Sequence, residues 1–256
     1  MITPRKLILI SNDDSIEAPG LLRLVDCCPP DCDIIVAAPA AQHSGQSSAL
    51  TVGSPLRIDS LPDYGAARLF TVTGTPVDCI KLALSEIVPR RPDLILAGIN
   101  HGSNSGCNVI YSGTMGAVLE GCNVGIPSCG FSLLHHSLKA DFSLCTHAVR
   151  SLIADLLEHG LPEGVCLNVN IPARVVPLGV RVCRAARGHW TEEYRKYLDP
   201  SGTPFYWLTG NFVNLEPDAT DTDEYWLAQN YISAVPVAVD SSDRQSIPGL
   251  AQRFDS

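Results

Sequence analysis

Two adjacent carboxylates, Asp13 and Asp14, follow the apolar run 7–10 after Ser11 and Asn12, near the start of the chain. A run of this length is typical of a buried parallel strand, and the carboxyl ends of such strands form the edge where open α/β sheets bind ligands. Because adjacent like charges repel, a hard divalent cation such as Mg²⁺ or Mn²⁺ suits their oxygens. The alternative is that Asp14 only caps the next helix, since Asp is a favoured N-cap residue.

A second candidate lies in the loop after the apolar run 33–38, where Ser44 precedes Gly45. A hydroxyl followed by glycine in such a loop can present a side-chain oxygen and a backbone N–H to one anion or metal. On its own this pair carries little weight, because most Ser-Gly pairs occur in turns.

The loop that follows the apolar run 94–97 is rich in glycine and asparagine. Such a loop can adopt unusual backbone conformations and direct its amide groups at a ligand. Asn100 stands at the end of its strand, as Asp13 does, and its carbonyl oxygen is a suitable neutral ligand for a hard cation.

A predicted helix over residues 114–123 begins next to a further set of polar residues, Ser112, Gly113 and Thr114. Ser112 or Thr114 can cap this helix, and its free N–H groups and dipole would attract a phosphate. Glu120 within it is either buried near the site or simply paired. Carboxylates, hydroxyls, an amide oxygen and a helix N-terminus together suit a metal-dependent phosphomonoesterase.

The elements that must position these residues alternate between strand and helix patterns. The predicted strands are 6–11, 33–38, 68–73, 94–97, 128–133 and 165–169, and the predicted helices are 18–27, 76–85, 114–123 and 143–159. Alternation of this kind predicts parallel strands joined by crossover helices, in a three-layer α/β fold.

The character of the chain changes near residue 172, where prolines become frequent and aromatic residues concentrate between positions 190 and 231. We predict a catalytic core over 1–171 and a C-terminal extension of β-hairpins and one helix over 172–256. Aromatic-rich hairpins are common at subunit contacts, so oligomerisation is the expected role. The alternative is a local β-subdomain on its own core. The acidic stretch 218–224 is expected to be a solvated loop, with part of a neighbour's site as the alternative.

Composition narrows the possible partners and the compartment. The net charge of −9 argues against a nucleic-acid partner, which needs a basic face. The chain contains neither a secretory signal pattern nor an apolar stretch that approaches a membrane span, so we expect a cytoplasmic protein.

Its ten cysteines are expected to be reduced and mostly buried. Cys27, Cys28 and Cys32 predict a zinc site only weakly. No Gly-x-Gly-x-x-Gly motif follows the first strand, which disfavours an NAD-dependent dehydrogenase.

In these same segments the sequence resembles the SurE family, the stationary-phase survival nucleotidases. The resemblance spans ordered motifs over most of the chain. The matching segments are 8–14 with 18–20, 38–39 with 44–45, 72–79, 98–102, 111–114 with 120–121, 167–172 and 205–207.

The resemblance implies a Rossmann-like core with a C-terminal extension that is exchanged between the subunits of a homodimer or homotetramer. It also implies one Mg²⁺ or Mn²⁺ ion per subunit, and hydrolysis of nucleoside 5′- and 3′-monophosphates and, in some members, of short polyphosphate. The implied metal ligands are Asp13, Asp14, Ser44 and Asn100. The implied phosphate contacts are Ser44, Gly45, Asn104, Ser112, Gly113 and Thr114.

Asp13 and Asp14 are the predicted catalytic residues: one would ligate the metal, and the other would position or deprotonate the attacking water. Direct attack by water is favoured over an aspartyl-phosphate at Asp13, because Ser15 stands where a second acid would be needed.

The sequence departs from the family at two positions, with Ser15 in place of glycine and Asn108 in place of aspartate. If position 15 requires a positive φ, serine costs roughly 1 kcal/mol there. These departures motivate the alternative function, a non-catalytic nucleotide- or metabolite-binding protein on the same fold.

Overall fold

A computed structural model of the protein describes residues 5–137 and 139–255. The strands are β1 (Leu7–Ser11), β2 (Asp33–Pro39), β3 (Ile58–Tyr64), β4 (Ala67–Val72), β5 (Leu94–His101), β6 (Ser128–Leu133), β7 (Val165–Ile171), β8 (Val180–Val182), β9 (Gly188–Thr191), β10 (Tyr194–Leu198), β11 (Pro204–Leu208), β12 (Asn211–Asn214) and β13 (Ile232–Ala238). The helices are α1 (Pro19–Cys27), α2 (Pro76–Leu82), α3 (Gly113–Asn123), α4 (Thr146–His159), α5 (Asp223–Ala228) and α6 (Ile247–Phe254).

Nine strands form the main sheet in the order β3-β4-β2-β1-β5-β6-β7-β13-β8. The central block from β4 to β7 is entirely parallel, as predicted. The sheet as a whole is mixed, because β3 pairs antiparallel with β4 and β13 pairs antiparallel with β7. A two-residue turn joins β3 to β4, and a connection this short permits only antiparallel pairing.

Two hydrophobic clusters lie on opposite faces of this sheet, which gives the predicted three layers. Side chains alternate between the faces along a strand, so Ile8 and Ile10 pack in one cluster while Leu7 and Leu9 pack in the other. The first cluster includes α1 and α4, and the second includes α2 and α3. The prediction of a three-layer α/β fold is confirmed.

The chain after residue 171 is divided between the sheet and two separate ribbons. β13 and β8 complete the main sheet, whereas β10 pairs with β11 and β12 pairs with β9 in two-stranded ribbons. Two helices, α5 and α6, occur here instead of the single predicted helix. The split into domains at residue 171 stays a prediction. The first four residues of its core and the last residue of its extension lie outside the described residues.

The cysteines are all unpaired, and each is buried or half-buried. Within the described residues, no group of three or more His, Cys, Asp or Glu side chains could hold a metal, so Cys27, Cys28 and Cys32 form no zinc site. In the same part of the chain, no helix combines the length and apolar character needed to cross a membrane.

The loop after β1 contains a strained residue at the position where the resemblance predicts glycine. Ser15 has a φ of 93°, in the region that L side chains rarely adopt. The side-chain amide of Asn12 donates to the Ser15 carbonyl over 2.7 Å and helps to hold this turn. Serine in this conformation costs about 1 kcal/mol relative to glycine.

We therefore expect Ser15→Gly to raise the free energy of unfolding by about 0.5–1 kcal/mol, because the relief of strain exceeds the extra chain entropy of glycine. Ser15→Ala is the matched control and should leave stability nearly unchanged, since alanine meets the same steric limit. Urea unfolding of the three proteins measures this. A Ser15→Gly variant less stable than wild type would contradict the strain argument.

Candidate active site

Asp13 lies at the carboxyl end of β1, directly against the N-terminus of α3. Its side chain is buried, with 4% of the residue exposed. The Thr114 hydroxyl donates to Asp13 Oδ1 over 2.5 Å. A Cβ atom added to Gly113 would lie 2.8 Å from Asp13 Cβ, so only glycine fits at this contact. The first turn of α3 and the carboxylate are therefore in close contact.

The pKa of Asp13 is raised to about 6, mainly because burial disfavours the charged carboxylate. The negative charge of Asp14 raises it further, while the hydrogen bond from Thr114 opposes the shift. Keeping Asp13 charged in this buried position therefore costs free energy, and a nearby cation would remove that cost.

Asp14 is also buried, and it connects β1 to two other loops. The His101 backbone N–H donates to Asp14 Oδ2 over 3.1 Å, which ties Asp14 to the end of β5. The Gln42 amide lies 3.4 Å from Asp14 Oδ1 and donates to the Ser44 hydroxyl over 2.9 Å. Ser44 thus reaches the carboxylates only through Gln42, and both Ser44 and Gly45 are exposed.

The loop that carries Ser44 is attached on two sides of the site. The His43 N–H donates to the Asp13 carbonyl over 2.8 Å, and the Ser47 N–H donates to the Tyr111 carbonyl over 3.0 Å. These bonds hold Ser44 and Gly45 beside the carboxylates and the start of α3.

Asn100 lies in the last part of β5, one residue before the amide that binds Asp14. Its Nδ2 donates to the Gly102 carbonyl over 3.0 Å. That bond fixes the side-chain amide. Its Oδ1 receives no hydrogen bond from the residues that the structure describes, so this oxygen is available to a ligand.

The N-terminus of α3 forms the remaining side of the site. Ser112 caps this helix, because its hydroxyl accepts a hydrogen bond from the Met115 N–H over 3.0 Å. The first N–H groups of a helix have no carbonyl partner within it, and the helix dipole adds positive potential there. Gly113 and Thr114 belong to this turn, so the predicted anion-binding position lies beside Asp13.

Asn104 is buried and supports its own loop. Its Nδ2 donates to the Ser132 hydroxyl and its N–H to Asn170 Oδ1, each over 2.8 Å. Its carbonyl accepts from the Asn168 amide over 2.8 Å. Its contact with phosphate stays a prediction, while its bonds to β6 and β7 anchor the loop after β5.

Two acidic residues that the sequence assigned to a solvated loop anchor the same segment from the other side. Asp223 is fully buried and accepts hydrogen bonds from the Gly106 N–H over 2.7 Å and the Ala186 N–H over 2.8 Å. The neighbouring Glu224 accepts from the Ser105 hydroxyl, and burial raises its pKa. Thr222, which caps α5, was the available sequence signal, since Thr followed by two acids typifies a helix start.

Two open questions from the sequence are answered by local contacts. Glu120 is paired, because its carboxylate lies 2.8 Å from the Lys81 ammonium. Asn108, the residue that departs from the family, accepts a hydrogen bond from the Trp190 indole over 2.8 Å. Asn108 therefore positions an aromatic side chain from β9.

The donor set suits a hard divalent cation. Asp13 and Asp14 form no ion pair with a lysine, arginine or histidine among the described residues. Asn100 adds a neutral oxygen, and Ser44 adds a hydroxyl at the exposed side. An all-oxygen site with uncompensated carboxylates matches the preference of Mg²⁺ and Mn²⁺.

Comparison with known proteins agrees with this geometry. A family model described as Survival protein SurE matches residues 8–192. The chain belongs to the SurE family. Its relatives include the 5′-nucleotidase SurE of Phocaeicola vulgatus, 48% identical over 86% of this chain and 85% of the relative. The 5′-nucleotidase SurE of Bacteroides fragilis is 47% identical over 87% of this chain and 88% of the relative.

The fold of this SurE-family protein also matches a solved structure. The SurE protein from Aquifex aeolicus superposes with a TM-score of 0.83 at 30% identity, over 96% of this chain and 99% of that chain. The resemblance identified from the sequence motifs is thereby confirmed at the level of family and fold.

The burial of Asp13 predicts a pH dependence in metal-free protein. Between pH 4 and 6, the unfolded chain loses the proton from Asp13 while the folded chain retains it, so folding stability falls as pH rises. In EDTA, the stability of Asp13→Asn relative to wild type should therefore rise by about 2 kcal/mol between pH 4 and pH 8.

Asp93→Asn is the matched control with the opposite sign. Burial alone would raise the pKa of Asp93, but hydrogen bonds from Leu7, Arg90 and Lys6 lower it to about 2. This variant should lose stability at neutral pH and approach wild type as the pH falls below about 4. A stability difference between wild type and Asp13→Asn that stays constant from pH 4 to 8 would contradict the assigned cause.

Proposed function

We propose that this protein is a divalent-cation-dependent nucleotidase that hydrolyses nucleoside 5′-monophosphates to nucleoside and phosphate. The observation that carries the proposal is the uncompensated pair Asp13 and Asp14 beside the N-terminus of α3. Hydrolysis of a phosphomonoester requires a cation site and an anion site that adjoin each other. The names of the relatives from Phocaeicola vulgatus and Bacteroides fragilis support the same activity.

Asp13, Asp14, Ser44 and Asn100 would hold one Mg²⁺ or Mn²⁺ ion per subunit. When bound, such an ion polarises a phosphoryl oxygen and lowers the pKa of a coordinated water. The oxygen-only donor set and the free Oδ1 of Asn100 support this assignment.

The phosphate would lie at the start of α3. Backbone N–H groups of Gly113 and Thr114, the Ser112 hydroxyl and the Ser44-Gly45 loop would bind its oxygens. These donors are fixed before substrate arrives, so they stabilise the negative charge that develops during displacement. Asn104 would hold the loop after β5 and would also contact the phosphate.

The two aspartates would divide the remaining roles. One would ligate the cation directly, and the other would contact it while orienting the attacking water and accepting its proton. Water attacks directly, because Ser15 occupies the position where a second acid would be needed for turnover through an aspartyl-phosphate.

The proposal extends to nucleoside 3′-monophosphates and short polyphosphate as further substrates, because the cation and the start of α3 contact the phosphoryl group rather than the rest of the molecule.

We also propose a cytoplasmic location. Ten unpaired cysteines fit a reducing compartment, where free thiols persist.

We further propose that the protein forms a homodimer or homotetramer through its C-terminal region. Tyr197, Phe205 and Trp207 share one face of the β10–β11 ribbon and are exposed, with Trp207 at 64%. The helix α6 also buries none of its apolar residues, and Phe254 is 68% exposed. Contiguous exposed apolar side chains of this kind mark interaction sites.

The decisive experiment for activity is phosphate release from nucleoside monophosphates with Mg²⁺, Mn²⁺ or EDTA. We expect release with a divalent cation, no release in EDTA, and a loss of at least about 100-fold in kcat for Asp13→Asn, since one ligand and its charge disappear. The variant should still fold, because Asn keeps an acceptor for the Thr114 hydroxyl.

Glu120→Gln is the matched control for this experiment. It removes a carboxylate from the same helix region without touching Asp13, so its activity should stay within about threefold of wild type. Calorimetric binding of nucleotide by wild type, without phosphate release under any metal, would favour the non-catalytic binding protein instead.

Oligomerisation is tested by light scattering during size-exclusion chromatography. We expect wild type to elute as a dimer or tetramer, and Trp207→Glu to shift it towards monomer by placing a charge in an apolar contact. Tyr64→Glu, on the edge strand β3 of the main sheet, should leave the mass unchanged. A monomeric wild type at micromolar concentration would overturn the proposal.

A further inference from the structure

A cavity of about 630 Å³ lies at the carboxyl ends of β6 and β7. Its walls come from the segments 134–137 and 172–174, which directly follow these two parallel strands, and from the end of α5 with the turn after it. None of the predicted metal or phosphate ligands lines it. Because the carboxyl ends of parallel strands form the edge where α/β sheets bind ligands, the cavity is a second candidate binding site on that edge.

The cavity combines basic side chains with no acidic one. Its lining includes His135, His136 and Arg174, and contains neither Asp nor Glu. Arg174 forms no ion pair with a carboxylate among the described residues, although the whole chain carries a net charge of −9. The N–H donors of its planar guanidinium are therefore available to an anionic ligand.

A hydrogen bond at His135 fixes the position of the proton on its ring. The Ser137 N–H donates to His135 Nδ1 over 3.1 Å, so Nδ1 is the acceptor nitrogen. A neutral imidazole has a single acceptor nitrogen, and its other nitrogen carries the hydrogen. Nε2 of His135 is therefore an N–H donor.

This donor faces a second donor across the cavity wall. Arg174 Nη2 lies 3.5 Å from His135 Nε2, and both nitrogens carry hydrogens. Two such donors do not bond each other, whereas one oxygen placed beside them would accept from both. A carboxylate or phosphate oxygen suits that position, because hydrogen bonds between arginine and a charged acceptor are the stronger ones.

The backbone at Arg174 adopts an uncommon conformation. Its φ is 64°, in the left-handed region that residues other than glycine seldom occupy. Strained residues of this kind cluster at active sites and ligand clamps. The turn after β7 thus places a strained arginine opposite His135, in agreement with a binding role.

The remainder of the cavity wall is mainly apolar. A volume of about 630 Å³ lies within the range of small-molecule sites, and a bare phosphate ion would leave most of it empty. A ligand that matches both parts of the wall carries an anionic group and an apolar body. The apolar lining residues are Leu134, Pro172, Ala173, Leu227 and Ala228.

One wall of the cavity packs against the loop after β5. A Cβ atom added to Gly102 would lie 2.9 Å from both Cε1 and Nδ1 of His136, so the glycine leaves room for this ring. The Gly102 N–H also donates to the Leu133 carbonyl at the end of β6 over 2.9 Å. The position of His136 beside the cavity is therefore set by two neighbouring strand ends.

We propose that this cavity binds a small organic anion, in which a carboxylate or phosphate-type group is attached to an apolar body. An oxygen of the anion accepts from His135 Nε2 and from the Arg174 guanidinium, and the apolar body contacts the wall around Leu227. The inference does not depend on nucleotidase activity, because no predicted catalytic residue takes part in the site.

The test uses phenylphosphonate, whose oxyanion and aromatic ring are joined by a C–P bond that a phosphomonoesterase does not cleave. The full chain carrying isotope-labelled histidine is titrated, and NMR follows the His135 ring signal, which is identified by its absence in His135→Gln. We expect a saturable shift in wild type and at least about tenfold weaker binding in Arg174→Gln, since charge-assisted hydrogen bonds are lost.

Arg68→Gln is the matched control. Arg68 is an exposed arginine on β4 that likewise forms no ion pair among the described residues, and it does not line the cavity. This variant should bind phenylphosphonate as wild type does. Arg174→Lys keeps the positive charge without the planar fork, and should recover part of the affinity lost in Arg174→Gln.

Two further probes test the class of ligand. Inorganic phosphate lacks the apolar body and should bind at least about tenfold more weakly than phenylphosphonate. Benzoate keeps the ring and replaces the phosphonate with a carboxylate. Tighter binding of either aromatic anion than of phosphate supports the proposal, and the tighter of the two identifies the preferred anionic group.

Three results would overturn the proposal. The first is a His135 signal that does not respond to any of the three probes at millimolar concentration. The second is a response of equal affinity in wild type and Arg174→Gln, because the probe would then bind elsewhere on the protein. The third is equal affinity for phosphate and the two aromatic anions, which would exclude a ligand with an apolar body.

Discussion

The enclosure of the Asp13 carboxylate between the end of β1 and the first turn of α3 is the constraint on which the site depends. Burial raises the pKa of this group, and the approach of α3 requires glycine at position 113. The helix N-terminus and the Thr114 hydroxyl offset part of the cost of a buried charge. They do not neutralise the neighbouring Asp14, so the fold builds a position with excess negative charge next to one with positive potential. A cation and a phosphate together satisfy both.

Such a site demands rigid loops, and buried polar contacts supply the rigidity. The loop after β5 is bonded to Asn168 and Asn170 of β7 on one side and to Asp223 of α5 on the other. Each of these contacts satisfies a backbone group that would otherwise be buried without a partner. The polar residues at the end of β7 therefore belong to the site's support, because they hold Asn104 in place.

Local sequence patterns predicted the structural features that depend on residues close together in the sequence. The central strands are apolar runs, and β6 was placed at both of its ends because polar or glycine-containing segments bound it. The strain at Ser15 was expected from the resemblance instead, because serine stands where the family has glycine. The edge strand β3 was missed because Pro62 and mostly exposed side chains conceal its alternation. The antiparallel pairing of β13 with β7 was not predicted, because β7 lies about 60 residues earlier and no local pattern specifies that pairing.

The contacts that shape the site join residues far apart in the sequence, which is why the sequence did not predict their geometry. Thr114 bonds Asp13, Asp223 bonds Gly106 and Trp190 bonds Asn108, and in the last two pairs the C-terminal region reaches the loop after β5. That region therefore does more than expose apolar surface to a partner. Because β9 and α5 hold the loop that carries Asn104, the C-terminal region is part of the site's support within a single chain.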